Sequence, residues 1–281
     1  MQSTAPLICL GMGSGSGSNL KELIKAEDNF RIALLFSDRT CELEKLAIEN
    51  NRSFLSLNAK KITGNRSGTN SRENYTAACE RFEQLALRQI NSWEIQNNTI
   101  DLVLLGGYMR LLREPFLKKF AGRMLNVHPG DLSKTDQYGK RLLIGSKAVF
   151  KALLLGHNGS RSSIHMVTHE MDAGPILEIS AEVPFSAEIK RVRQELLLLL
   201  LNRINLNEQQ IISMSAEKLE ELPSILMAKF PIEMKQVFSH CKEHQKIQKR
   251  LADWPSYIKV VKAIARGKSK LPVIECEGVT S

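Results

Sequence analysis

The sequence predicts an α/β protein: a doubly wound, mainly parallel sheet with a helical C-terminal insertion. Three observations carry that expectation. Short apolar runs alternate with amphipathic stretches through the first two thirds of the 281 residues. A glycine-rich turn, GMGSGSGSNL from Gly11 to Leu20, joins the first apolar run to the first amphipathic stretch. From Ser186 to near Arg266 the strand-like runs give way to helical periodicity. The expected division is therefore an α/β core over 1–185, followed by a helical insertion and closing helix over 186–281.

In chain order, PLICLGM reads as a strand and SNLKELIKAE as a helix capped by Ser18 or Asn19. RIALLFS is a strand, CELEKLAIENN a helix and SFLSL a short strand. The polar stretch from Asn58 to Asn70, with Gly64 and Gly68, reads as a loop before a long helix near SRENYTAACERFEQLALRQI. IDLVLLGG is a strand ending in two glycines; a helix in REPFLKKFAG and a strand at RMLNV follow. Beyond Lys140 come a helix around SKAVFKALLLG, a strand SSIHMVT, a turn HEMDAGP and a strand ILEISAEVPF. Pro223, Pro231 and Pro255 are expected to break the C-terminal helical stretch into separate helices, and the last residues to fray.

Composition narrows the function classes. Five cysteines without a C-x-x-C pair suit a reducing compartment better than a disulfide scaffold or a structural zinc site. The N-terminus lacks the basic segment of a signal peptide, so a cytoplasmic location is expected. The run Leu196 to Leu201 is far shorter than the roughly 20 apolar residues of a membrane span and reads as a buried helix face. The net charge of +9 is concentrated late, in HCKEHQKIQKR and KVVKAIARGKSK, without interleaved aromatics. That pattern argues against nucleic acid and for steering of small anionic substrates or a solvated helix face.

The glycine-rich turn places backbone N–H groups at a helix start, where they bind anions. Asp38, at the end of the second strand, would suit the ribose of a dinucleotide. However, no start at Gly11, Gly13 or Gly15 gives G-x-G-x-x-G, and no Gly-Lys-Ser/Thr follows for a P-loop. Phosphate binding by Gly17, Ser18 and Asn19 is the preferred reading, against a plain linker.

Asn126 and His128 alternate at the end of an apolar strand, so both project to one side before Pro129 stiffens the exit. Asp172 lies in a turn bent by Gly174 and Pro175. Brought together, an amide, an imidazole and a carboxylate that keeps the ring protonated would stabilise an oxyanion and move a proton, as acyl transfer to an amine requires. Taken singly, each residue is more often a strand end or a turn than catalytic. His165 in SSIHMV reads as core support.

The pieces GSGSNL, SRENY, LLGGYMRLL, AGRMLNVHP and VTHEMDAGPI stand in an order and spacing that resemble the 10-formyltetrahydrofolate-dependent formyltransferases, over about Leu7 to Phe185 and again near Trp254. The members acting on glycinamide ribonucleotide are nearest in pattern. The resemblance implies a formyltransferase-like Rossmann-type core, with 10-formyltetrahydrofolate as cosubstrate, a small phosphorylated amine as acceptor and no metal. It implies catalysis by Asn126, His128 and Asp172, and phosphate binding by Gly17, Ser18 and Asn19. Folate would be held by Met109, Arg110, Leu111 and Leu112, with Arg72 at its glutamate end. Val167, Thr168, His169, Glu170 and Met171, leading to Asp172, would line the pterin pocket largely through backbone atoms.

The sequence also departs from the pattern. Ser-Leu-Leu-Pro usually follows His-Pro; here Gly130, Asp131, Leu132 and Ser133 do, and Asp131 would contact a different acceptor or raise the pKa of His128. Several tens of residues are inserted after Phe185, open to three roles: covering the site, self-association or structural elaboration. By a loose alignment, Asp253 falls at the place of an acidic contact to the substrate amine. Alternative acceptors are methionyl-tRNA and an amino sugar nucleotide, although the helical C-terminal part lacks the β-barrel of the tRNA enzyme. A formyltetrahydrofolate deformylase would carry a regulatory domain before the first strand, and the non-enzyme alternative is a folate- or nucleotide-binding homologue.

Overall fold

A computed structural model describes residues 5–64, 72–267 and 271–272. They group into two compact units. One comprises the described residues of Met1–Val127, Met166–Glu170 and Tyr257–Ser281; the other comprises His128–His165 and Met171–Ser256. This grouping does not follow the expected division at 185, because the chain from His128 onward packs with the inserted helices.

The first unit alternates strand and helix: β1 (Leu7–Gly13), α1 (Ser18–Lys25), β2 (Phe30–Ser37), α2 (Leu43–Glu49), β3 (Ser53–Ser56), α3 (Ala59–Thr63), α4 (Arg72–Gln96), β4 (Leu102–Leu105), α5 (Glu114–Lys119) and β5 (Met124–His128), whose last residue is grouped with the second unit. The strands run parallel in the order β3-β2-β1-β4-β5. Their apolar runs are continuous rather than alternating because helices bury both faces of such a sheet. Leu10, Met12, Leu34, Phe36, Val103 and Leu105 pack with Phe82, Ala86 and Ile90, which recur every four residues on α4. Parallel pairing brings the carboxyl ends of the strands to one edge, the usual location of ligand sites.

Two expectations need correcting here. The stretch from Asn58 is not all loop: Asn58 caps α3 by accepting the Lys61 N–H, and five residues are too few to show a helical period. Gly68 and Asn70 lie outside the described residues, as does the expected frayed end beyond 272. The cap of α1 is neither Ser18 nor Asn19 but Gly17, at φ +65. A Cβ on Gly17 would stand 2.6 Å from Leu43 Cδ1, so conformation and space both require glycine.

The second unit contains α6 (Ala148–Leu154), β6 (Gly159–Ser160), β7 (Ser163–Met166, its last residue grouped with the first unit), β8 (Ile176–Ile179), β9 (Val183–Pro184), α7 (Ala187–Ile204), α8 (Glu208–Ile212), α9 (Ala216–Lys229), α10 (Pro231–Gln248) and a π-helical turn, Lys249–Asp253; α11 (Trp254–Ala265) starts here and from Tyr257 is grouped with the first unit. The expected strand ILEISAEVPF is two strands: β8 pairs antiparallel with β7, and β9 with β6. Leu143, Phe150, Leu153, Val192, Leu196, Leu200, Leu219 and Leu226 form the core of this unit. Within the leucine run only Leu196 and Leu200 are fully buried, while Leu198 and Leu201 are exposed, as one face of a helix requires. Of the three prolines expected to break helices, Pro231 opens α10, but Pro223 lies buried inside α9. Pro255 lies in the first turn of α11, straight after the π-helical turn, whose wider spiral changes the backbone pairing just before a residue with no N–H.

Candidate active site

β5 ends in Asn126 and His128, two residues apart and therefore on one side of the strand. The His128 ring is buried. Its Nδ1 is 3.3 Å from Asp172 Oδ2, and its Nε2 is 2.6 Å from the Leu143 carbonyl oxygen. A carbonyl only accepts, so Nε2 carries the hydrogen in that contact. Asp172 adopts a left-handed conformation at φ +54, which aspartate tolerates better than most residues. Its Oδ2 accepts the Gly145 N–H at 2.8 Å, Oδ1 is 3.5 Å from His165 Nε2, and its backbone carbonyl accepts from Arg141.

Electrostatics separate the two groups. Burial raises the Asp172 pKa, but the His165 hydrogen bond, the His128 charge and the Gly145 N–H outweigh it and hold the carboxyl well below the usual range. Asp172 is ionised. Burial pushes the His128 pKa down more than the Asp172 charge and the Leu143 carbonyl push it up. Both ring nitrogens nevertheless face acceptors, the Asp172 carboxylate and the Leu143 carbonyl, so burial and these two contacts act on the ring in opposite directions.

Two acidic residues have internal partners. Asp131 is buried, and its Oδ1 accepts from the N–H and hydroxyl of Ser133, closing a turn beside a cavity that Asp131 lines with Lys134, His157 and Arg161. Asp253 is buried within the π-helical turn, and its carboxylate accepts the Ser162 hydroxyl. The expected contact of Asp253 with a substrate amine is thus replaced by an internal bond. Sequence reasoning missed Leu143, Gly145 and Arg141, and kept His165 only as support; Leu143 and Gly145 act through backbone atoms, which carry no residue-type signature, while Arg141 reaches the Asp172 carbonyl with its side chain.

In the first unit, the N-cap of α1 is a glycine and supplies no side-chain cap to the helix's first N–H groups. Asn19 is buried and Ser18 partly so. The glycine-rich turn is pinned to the turn after β4: Ser14 N–H donates to the Gly107 carbonyl at 3.2 Å, and Met109 N–H to Ser14 Oγ at 2.9 Å. Met109 and Leu111 are exposed, whereas Leu112 is buried in the core with Phe82 and Phe116. The Arg110 guanidinium lies 5.0 Å over the Phe82 ring and donates to Cys79 Sγ. Arg72 begins α4, and its side chain lies outside the described residues. Val167 N–H donates to the Met124 carbonyl, Thr168 Oγ1 to the Glu170 carbonyl, and His169 and Glu170 are exposed. Met171, grouped with the second unit, is exposed as well.

Comparison with known proteins adds to this geometry. Residues 9–194 match the family model described as formyl transferase. The phosphoribosylglycinamide formyltransferases of Haemophilus influenzae and Escherichia coli are 34% and 37% identical over 94 residues, 34% of this chain. That match spans 40% of each of those enzymes. The Bacillus subtilis enzyme of the same name is 29% identical over 168 residues, covering 58% of this chain and 73% of its own. Among solved structures, phosphoribosylglycinamide formyltransferase from Anaplasma phagocytophilum superposes with a TM-score of 0.57 at 20% identity, covering 98% of this chain and 97% of its own. The likeness therefore extends through the helical C-terminal part. Glycinamide ribonucleotide transformylase 1 from Symbiobacterium toebii gives a TM-score of 0.51 at 25% identity over 77% of this chain and 90% of its own.

Proposed function

Because the chain belongs to the formyl transferase family, we propose that it transfers the formyl group of 10-formyltetrahydrofolate to the amine of glycinamide ribonucleotide, a step of purine biosynthesis. One observation carries the reading: an imidazole–carboxylate pair, His128 and Asp172, at the end of a strand that presents Asn126 two residues earlier. The sequence relatives of that name support the acceptor.

In this reading the acceptor nitrogen attacks the formyl carbon, a C–N bond forms and the carbonyl becomes an oxyanion. Asn126 donates its amide hydrogen to that oxygen. His128 donates Nε2–H, which requires the Leu143 carbonyl to give up the hydrogen it now accepts. Each donor lowers the barrier by about 3 kcal/mol. Breaking the bond to N10 releases tetrahydrofolate, and the proton lost by the amine ends on N10, with the His128–Asp172 pair holding it in transit. Gly17, Ser18 and Asn19 take the phosphate through the uncapped start of α1. Met109, Arg110 and Leu111 serve the folate, as do Arg72 and the segment from Val167 to Met171. A cytoplasmic location is part of the same proposal; among the described residues no helix is long and apolar enough to cross a membrane.

The test mixes protein, 10-formyltetrahydrofolate and glycinamide ribonucleotide and follows tetrahydrofolate and formylated amine together. Replacing His128→Ala should lower kcat/KM by about a hundredfold or more. Equal rates for parent and variant would reject the mechanism. Faster turnover with an amino sugar nucleotide or methionyl-tRNA would reassign the acceptor, and donor binding without turnover on any acceptor would leave a binding protein.

A further inference from the structure

Within the second unit, the inserted helices reach the His128–Asp172 pair through one buried cation. Lys151 of α6 is buried, and its Nζ donates to the Ile144 carbonyl at 2.6 Å and to the Glu220 carboxylate of α9. Ile144 stands between the two backbone groups that touch the pair: the Leu143 carbonyl on His128 Nε2 and the Gly145 N–H on Asp172 Oδ2. Glu220 lies directly on this stretch, since a Cβ on Gly145 would be 2.6 Å from its Oε1. The same segment is tied to α9 twice more: Ala216 N–H donates to Asp136 Oδ2 at 2.9 Å, and Lys140 pairs with Glu217.

A buried ammonium group is costly unless acceptors and opposite charge surround it, and well-packed apolar substitutes for buried ion pairs are often as stable. Stability alone therefore gives weak reason for a lysine at this position. We propose that Lys151 and Glu220 are positioning residues: α9 of the insertion, acting through the Lys151 ammonium, fixes the backbone from Leu143 to Gly145 and with it the orientation of His128 and Asp172. This role rests on the formyl-transfer reading for its catalytic meaning, but its geometry does not. The charged and titratable groups facing the ring are Asp172, His165 and Lys151, with Arg141 on the Asp172 carbonyl, and the Lys151 charge opposes ring protonation.

Lys151→Met, Lys151→Arg and Glu220→Gln in the full chain, with two readouts, test this. An NMR titration of the His128 ring needs no turnover, so it separates this proposal from the reaction assigned above. Lys151→Met should move that titration to higher pH, and Lys151→Arg should leave it near the parent value. In the formyl-transfer assay Lys151→Met and Glu220→Gln should each lose about tenfold in kcat, with donor KM within about twofold. Parent-like titration and kcat in both, even with a lowered thermal midpoint, would overturn the proposal and leave a purely structural tie. Should Lys151→Met fail to fold, kcat of Glu220→Gln decides: a fall supports the brace and a parent-like value rejects it. Should the parent formylate nothing, an unmoved ring in Lys151→Met rejects it.

Discussion

A Cβ on residue 130 would stand 2.5 Å from the Leu143 carbonyl oxygen and 2.8 Å from His128 Nε2. Glycine there is what lets the carbonyl close on the ring, and Gly130 is where the sequence leaves the His-Pro-Ser pattern of its family. Gly130→Ala should push the carbonyl away and remove a partner that favours the protonated ring. The His128 titration, followed by NMR, is therefore expected to move to lower pH; a titration identical to the parent's would show that the contact does not hold the ring. Burial places the parent ring below the ordinary value of 6.5. If the neutral ring receives the proton from the amine, kcat/KM is level above neutrality and falls only on the acid side of that value. The meeting of His128 with Asp172 was legible in the sequence because each has a titratable side chain, and the place of Asn126 because it alternates with His128 on a strand. The atoms that hold them were not legible: a Leu143 oxygen and a Gly145 hydrogen belong to the backbone, which every residue shares.

The six-residue helix α5 begins without a local side-chain cap, and a residue thirty positions earlier supplies one. Glu83, buried on α4, accepts the Arg113 N–H at 2.9 Å and the Phe116 N–H at 3.5 Å. Burial raises its pKa from 4.5 to about 7, against the lowering by those two N–H groups. The folded protein therefore holds this proton more tightly than the unfolded chain. Its favourable contribution is complete below 4.5 and is lost as pH rises through about 7, on the order of 3 kcal/mol in all. Glu83→Gln should flatten the fall in thermal midpoint between pH 5 and pH 8, and an unchanged fall would exclude Glu83 as its source. Such a cap leaves no local trace in the sequence, and the five-residue α3 leaves only its Asn58 cap, without a helical period. The parallel strands were legible for the opposite reason, since burial on both faces leaves unbroken apolar runs such as LICLGM. Pro223 misled because a proline signals a break, whereas α9 continues through it in a packed core.

At the scale of the whole chain the controlling quantity is charge. Thirty-nine lysines and arginines against thirty aspartates and glutamates give +9, while both proposed substrates are anions, one through its phosphate and the other through its glutamate carboxylates. A field of that sign raises the encounter rate of anions and is screened over a Debye length of about 8 Å at physiological ionic strength. The expected outcome is that kcat/KM for glycinamide ribonucleotide falls severalfold as salt is raised from about 50 to about 300 mM, with kcat nearly constant, because screening acts on approach and not on the bound complex. Glycinamide riboside, the same amine without its phosphate, is the control: its kcat/KM should be lower and nearly independent of salt. Parallel salt slopes for the two acceptors would mean that the phosphate is not what the field attracts, and would remove the reason for assigning it to the glycine-rich turn before α1.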